Sequence, residues 1–179
     1  METQAAFEQL LAESLTLFEA KTQDYGTAWR VLRLPSITDQ IYIKANRIRS
    51  IQEKGVALVD EGIEGEFVAI FNYAVMALIQ LHLPADAPLE LDPAQATDLY
   101  NQEAQANISL LTKKNHDYGE AWRQMRVSSI TDIILMKLLR IKQIEDNAGR
   151  TLASEGVEGG YRDIFNYAGF ALIHLRGWA

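Results

Sequence analysis

The chain has 179 residues, 48% of them hydrophobic, which is enough for one domain with a sizeable core or for two small halves that share one. Its net charge of −7 excludes a role in coating nucleic acid, which requires a basic surface, but allows a local basic pocket for a small phosphorylated ligand. The absence of cysteine excludes disulfides, thiolate metal sites and cysteine nucleophiles.

The N-terminal stretch METQAAFEQLLAESL carries acidic residues and no basic segment, so we do not expect a signal peptide. The longest strongly apolar stretch, residues 67–83, contains Asn72, Gln80 and His82 and is too short and too polar for a membrane span. We therefore expect a cytoplasmic protein without membrane contacts.

Apolar residues recur at helical spacing along the first half, and no run alternates as a strand would. They predict helices over about 3–22, 27–33, 36–54 and 64–82. The motif Asp24-Tyr25-Gly26 predicts a turn after the first helix, and Pro35 is expected to break the chain before the third. Ser36 is expected to cap that third helix, with Asp39 at the third helical position.

Residues 84–93 contain three of the four prolines and are predicted to link two halves, 1–83 and 94–179. Helices in the second half are expected over about 94–115, 119–126, 129–147 and 158–176. Ser129, with Asp132, is expected to cap the long helix of this half as Ser36 does in the first.

The second half repeats the first. Seventeen of 35 positions are identical between residues 21–55 and 114–148, and 13 of 21 between residues 61–81 and 155–175. Such a duplication predicts an all-α helical bundle, a single domain over 1–179 whose halves are related by a pseudo-twofold axis. Fusion of a homodimer produces this arrangement, and association of the whole chain into a homodimer is left open.

The long helix of each half carries a lysine within a stripe of isoleucines, Lys44 in the first and Lys137 in the second. An arginine follows three residues later, Arg47 or Arg140. One interpretation is a snorkelling lysine that covers apolar surface. The other, favoured because both copies have it, is a cationic pair at the floor of a pocket, facing carboxylates or a phosphate.

The last helix of each half carries an Asn-Tyr pair deep in an apolar sequence, where Asn72 and Asn166 must find hydrogen-bond partners. The halves differ beside this pair. The second half has Asp163 where the first has alanine, and the first has Glu66 where the second has glycine.

Acidic residues collect near the start of this helix, and carboxylates so placed can hold a hard cation such as Mg²⁺. The candidate metal ligands are Glu61, Glu64, Glu155, Glu158 and Asp163. The alternative is that these are helix-start acids that pair with the lysine and arginine of the neighbouring helix.

The motif K-x-x-D-Y-G opens the duplicated part of each half. Lys21 and Lys114 could end a helix or meet an anion, and the aspartates Asp24 and Asp117 could cap the short helix. Tyr25 and its counterpart Tyr118 could stack on a base or simply pack. The retention of all of them twice favours a ligand site.

These ordered motifs resemble the family called nucleotide modification associated domain 1, a small domain of bacteria and phages. In the second half the matching residues are Lys114, Asp117, Tyr118, Gly119, Lys137, Arg140, Glu155, Glu158, Asp163, Asn166, Tyr167 and Ala168. In the first half they are Lys21, Asp24, Tyr25, Gly26, Lys44, Arg47, Glu61, Glu64, Asn72, Tyr73 and Ala74. The first half departs at Ala69, which leaves its acidic set incomplete.

More distantly, the layout is similar to the all-α nucleoside triphosphate pyrophosphatases, helical dimers in which E-x-x-E and E-x-x-D carboxylates hold Mg²⁺ over a nucleotide. Glu155 and Glu158 form the nearest local counterpart. This resemblance implies Mg²⁺ as a cofactor and a catalytic set of Glu155, Glu158 and Asp163. Fold-level similarity does not by itself fix a function.

Two functions are therefore expected as alternatives. The first is an enzyme-like site that binds a nucleotide and hydrolyses a (d)NTP phosphoanhydride with Mg²⁺; the second is a non-catalytic nucleotide-sensing or structural module. The residues expected to contact the ligand are Lys21, Asp24, Tyr25, Lys44, Arg47, Asn72, Lys114, Asp117, Tyr118, Lys137, Arg140 and Asn166. The cations would neutralise the phosphates, and the tyrosines and asparagines would contact the base or sugar.

Overall fold

The computed structural model describes residues 1–55, 62–153 and 156–179, apart from the side chain of Tyr118. Six α-helices and two short 3₁₀ turns make up the regular structure of these residues, without a strand. The α-helices are α1 (Thr3–Tyr25), α2 (Leu34–Lys54), α3 (Ile63–His82), α4 (Pro93–Tyr118), α5 (Val127–Asp146) and α6 (Val157–Leu175), and the turns are Ala28–Val31 and Ala121–Gln124. The all-α prediction is confirmed.

The start of the long helix in each half differs from the sequence prediction. Helix α2 begins at Leu34, so Pro35 lies in its first turn, where a fixed φ and a missing N–H are tolerated. Ser36 and Ser129 therefore lie inside α2 and α5. Neither serine caps its helix, because the cap positions belong to the arginines Arg33 and Arg126, which make no side-chain cap bond.

Equivalent helices of the two halves pack against each other, α1 on α4, α2 on α5 and α3 on α6. The equivalent rings of Phe71 and Phe165 meet at the centre, with centroids 4.0 Å apart. One hydrophobic cluster takes residues from both halves. This is the packing expected of a duplicated bundle with a pseudo-twofold axis.

Reciprocal contacts across this axis repeat the same pairing twice. Arg49 of α2 lies 3.7 Å from Asp132 of α5, and Lys142 of α5 lies 3.0 Å from Asp39 of α2. The two carboxylates that were expected to support the serine caps instead join the halves.

Helices α3 and α6 run antiparallel. Glu64 at the start of α3 lies 2.9 Å from Arg176 beyond the end of α6, while Glu158 at the start of α6 lies 3.3 Å from His82 at the end of α3. The starts of α3 and α6 therefore lie at opposite ends of the pair, and any sites built on them are separate.

The linker fastens the turn after α1. Thr27 Oγ1 donates a hydrogen bond to the Leu89 carbonyl at 2.7 Å and accepts one from the Leu91 amide at 2.9 Å. The equivalent turn of the second half is held by the chain terminus instead, because Arg123 Nη2 donates to the Met1 carbonyl at 2.8 Å.

Helix α3 is long and apolar enough, by composition, to cross a membrane. More than half of its most apolar window is buried inside the bundle, as in the core helix of a globular protein.

Candidate functional site

In the first half the two predicted cations of α2 converge on one carboxylate of α3. Arg47 Nη1 lies 2.6 Å from Glu66 Oε1, and Lys44 Nζ lies 3.4 Å from Glu66 Oε2. The Glu66 side chain is only 9% exposed. A buried carboxylate needs such partners, so the first half carries its own anion between its cations.

In the second half the corresponding cations are placed differently. Lys137 Nζ donates to Asp163 Oδ2 at 2.7 Å, and Lys114 Nζ lies 4.0 Å from Asp163 Oδ1. Arg140 is exposed and makes no hydrogen bond or ion pair within the described part of the chain. Among the described residues, Arg140 is thus available to bind an anion from solution.

A cavity of about 260 Å³ lies between α5 and the start of α6, and we call it the second-half site. Its lining consists of Lys137, Arg140, Ile141, Ile144, Ala153, Gly156, Gly159, Gly160 and Asp163. Gly160 stands at the position of Glu66, and a Cβ there would lie 2.7 Å from Ile141 Cγ1. The glycine therefore lets Ile141 pack directly against α6, and no carboxylate stands between Lys137 and Arg140 at this position.

The start of α6 faces this cavity through glycines. The N-cap residue of this helix is Gly156, and Gly159 and Gly160 follow in its first turn. The first amides of a helix have no intrahelical partner and carry the positive end of its dipole. Together with Arg140, and with Lys137 held beside Asp163, they make the second-half site suited to an anion such as a phosphate.

A larger and more open space continues from the second-half site. This second cavity, of about 360 Å³, shares Arg140, Ile144 and Ala153 with it and extends to Arg150 and Leu152. A ligand whose phosphates bind in the second-half site could therefore extend into this second cavity, beside Arg150.

A different cavity lies in the first half, between α1, the following 3₁₀ turn and α3, and we call it the first-half cavity. It measures about 370 Å³ and is lined by Leu17, Phe18, Lys21, Thr22, Tyr25, Gly26, Ala28, Trp29, Gly65, Val68, Ala69, Asn72, Tyr73 and Met76. Most of these side chains are apolar or aromatic, and Lys21 is its one cation among the described residues.

The second half carries larger side chains at two positions of the region that corresponds to the first-half cavity. Phe170 replaces Met76 and stacks on Trp122, with centroids 4.3 Å apart and planes 9° from parallel. Asp163 replaces Ala69 and contacts lysines. Other lining positions differ as well, with Leu111 in place of Phe18 and Arg162 in place of Val68.

The paired asparagines are satisfied inside the protein. The Tyr100 hydroxyl donates to Asn72 Oδ1, and Asn107 Nδ2 donates to Asn166 Oδ1 at 3.2 Å. Burial raises the pKa of Tyr100, which keeps its hydroxyl protonated and donating. Sequence reasoning missed both partners because they lie on α4, outside the aligned motifs. Asn72 still borders the first-half cavity through part of its surface.

Glu64 and Glu158, the two predicted helix-start ligands that the structure describes, pair with cations other than the lysine and arginine of α2 and α5. Glu158 Oε1 lies 2.8 Å from Arg162 Nη2, a contact that holds the pKa of Glu158 below its usual value. Glu64 pairs with Arg176 across the axis. The spacing of four residues between Glu158 and Arg162 could have indicated the first contact, whereas the contact of Glu64 with Arg176 joins distant parts of the chain.

The predicted metal ligands Glu61 and Glu155 lie outside the described residues. Among residues 1–55, 62–153 and 156–179, no three His, Asp or Glu side chains come together as a metal site. Glu158 and Asp163 are held by cations, so these described carboxylates alone do not fit Mg²⁺. The metal prediction remains a prediction that depends on Glu155.

The aspartates of the K-x-x-D-Y-G motif do not cap the short turns. Asp24 and Asp117 lie in the last turns of α1 and α4, and Thr27 and Glu120 occupy the cap positions without a side-chain cap bond. The helices run one turn further than predicted, which places the aspartates on exposed helix surface. The side chain of Tyr118 lies outside the described part of the structure.

Comparison with known families gives one result. The model of the family described as Nucleotide modification associated domain 1 matches residues 21–81 and again residues 114–175. The two matched segments coincide with the repeated motifs. No curated protein and no solved structure matches the chain.

Proposed function

Since the chain belongs to the Nucleotide modification associated domain 1 family, we propose that it binds a nucleotide whose phosphates occupy the second-half site. The support is local: a cavity at a glycine-rich helix start, with Lys137 in its wall beside Arg140, which makes no ion pair within the described ranges. Arginine suits phosphate because its planar donors can bind two oxygens at once.

The observation that carries the proposal is the exchange of Glu66 for Gly160. In the first half a carboxylate fills the space between the cations, with an oxygen 2.6 Å from Arg47. In the second half that carboxylate is absent, and a cavity stands in its place. Where one copy supplies its own anion, the other copy has room for an anion from solution.

Phosphate binding would draw on groups already present. Arg140 would approach one phosphate directly, and Lys137 would share its charge between Asp163 and the ligand. The amides at the start of α6 would donate to phosphate oxygens. The adjoining cavity past Arg150 would hold the remainder of the nucleotide.

Hydrolysis of the bound nucleotide remains a proposal for the same site. Its catalytic set would be Glu155, Glu158 and Asp163. Since Glu158 and Asp163 are engaged by cations, the geometry of the described residues favours binding without cleavage. Mg²⁺ then enters as the counter-ion of the nucleotide, and no step is assigned to it.

The test is a thermal-shift and calorimetric screen of the whole chain against dNTPs and NTPs, with and without Mg²⁺, with pyrophosphate release followed in the same samples. We expect at least one nucleotide to raise the melting temperature, and Lys137→Met to abolish this rise. Lys113→Met, an exposed α4 lysine without a described contact, is the matched control. Absence of binding by every nucleotide contradicts the proposal, while release of pyrophosphate establishes hydrolysis.

A further inference from the structure

The first-half cavity has the size and the walls of a small-molecule site. Its volume of about 370 Å³ lies in the range that such sites occupy. Phe18, Trp29 and Tyr73 provide aromatic surface, and Tyr25, 71% exposed, borders the opening. Aromatic walls favour a flat ring, because stacked rings gain energy beyond the area they bury.

The second half indicates what fits against the tryptophan. There the ring of Phe170 lies stacked on Trp122 at 4.3 Å. In the first half Met76 takes the place of Phe170, and the same region is part of the open cavity. A ligand ring stacked on Trp29 would restore the contact that the second half makes internally.

The second half also indicates where an anionic group of a ligand would lie in the first-half cavity. Asp163 Oδ1 lies 4.0 Å from Lys114 Nζ. In the first half the aspartate is replaced by Ala69, and Lys21, the equivalent lysine, makes no ion pair within the described residues. A lysine at the rim of an apolar cavity is a partner for an anionic group of the ligand.

We propose that the first-half cavity is a binding site for a flat aromatic ring that carries an anionic group. The ring lies between Trp29 and α3, at the place of Phe170 in the second half, and the anionic group faces Lys21. The site lies in the other half from the nucleotide site and goes beyond the proposed function. This proposal does not require the second-half site to bind a nucleotide.

The experiment is a calorimetric titration of the whole chain at low salt with 2-naphthoate and with the uncharged 2-naphthalenemethanol as probes. We expect the acid to bind about fivefold or more tightly than the alcohol, in keeping with an ion pair near the surface. Met76→Phe, which installs the ring of the second half, should weaken both probes at least tenfold. Lys21→Met should equalise the two affinities, and Lys113→Met should change neither.

A second variant keeps the test decisive if Met76→Phe fails to fold. Ala69→Asp places the carboxylate of the second half opposite Lys21 and should weaken the acid alone. The proposal is overturned if neither probe binds, if acid and alcohol bind equally to the unmodified chain, or if Lys21→Met leaves the preference for the acid intact. Nucleotide binding measured on the same preparations is expected to be unaffected, so failure here leaves the other proposal standing.

Discussion

The two halves of the chain share one fold and one set of motifs, yet each carries a larger side chain at a position where the other borders a cavity. The first half places Glu66 between its cations, and the second half leaves a cavity there at Gly160. The second half stacks Phe170 on Trp122, and the first half leaves a cavity beside Met76. A duplicated domain can therefore diverge by filling and emptying the same positions, without any change of fold.

The largest expected effect on stability concerns the pair of phenylalanine rings that the two halves share at the axis. Phe71 and Phe165 are both fully buried and in contact at the axis. Replacement of either by alanine should lower the free energy of unfolding by about 3–5 kcal/mol. Because the rings touch, the double variant should lose less than the sum of the two. Urea unfolding of the unmodified chain, the two single variants and the double variant measures these losses. A large difference between the two single variants would contradict an equivalent role of the two rings in the core.

A smaller effect concerns Glu145, a half-buried carboxyl present only in the second half. Thr38 Oγ1 donates to Glu145 Oε1 at 2.7 Å, while Glu145 Oε2 is buried without a hydrogen-bond partner. Burial raises the pKa of Glu145. Its equivalent is Gln52, which donates to Thr131 at 3.1 Å. Glu145→Gln should therefore raise the free energy of unfolding at neutral pH by up to about 1 kcal/mol, since the carboxyl is partly open to solvent.

The difference in unfolding free energy between Glu145→Gln and the unmodified protein is expected to change with pH. A carboxyl whose pKa is raised in the folded state stabilises the protonated fold below its unfolded pKa of about 4.3, and this contribution is lost as the pH rises through the folded value. The advantage of the glutamine should thus grow with pH above about 4.3 and vanish below it. Equal melting temperatures of the two proteins at pH 7 would contradict this account.

The smallest effect concerns the reciprocal contacts at the ends of α3 and α6. His82 pairs with Glu158, and Arg176 with Glu64. A hydrogen bond to Glu103 raises the pKa of His82. Its contribution is present below the unfolded pKa of about 6.5 and is lost as the pH rises through the folded value. His82→Arg should remove this dependence, a gain of about 0.5 kcal/mol at pH 8. Melting temperatures between pH 5 and 8 measure this dependence. If the variant keeps the same pH dependence as the unmodified protein, His82 is not its source.

The helices were predictable from the sequence because their apolar periodicity is strong and occurs twice. Their starts were less so: Pro35 lies inside α2 because the first turn of a helix tolerates proline, and this displaced the predicted serine cap. The inequivalence at Glu66 and Asp163 was also visible in the alignment.

What the sequence could not predict is how side chains meet across the axis. Glu64 and Glu158 pair with residues at the ends of the opposite helices, and such long-range pairs leave no mark in one sequence. The partner of Asn72 is Tyr100 on α4, which lies outside the repeated motifs. Which cavities stay open depends on these contacts.

The central claim is tested most directly by counting ligand sites after the two halves exchange one residue. The measurement is a calorimetric titration with the nucleotide that binds most tightly, and with pyrophosphate as a base-free probe, of the unmodified chain, Gly160→Glu and Glu66→Gly. With pyrophosphate we expect one site in the unmodified chain, none in Gly160→Glu, where a carboxylate would take the place of the phosphate, and two in Glu66→Gly, where Lys44 would lose its carboxylate partner. Thermal melting of each variant verifies that it is folded. Undiminished binding by folded Gly160→Glu would contradict the account.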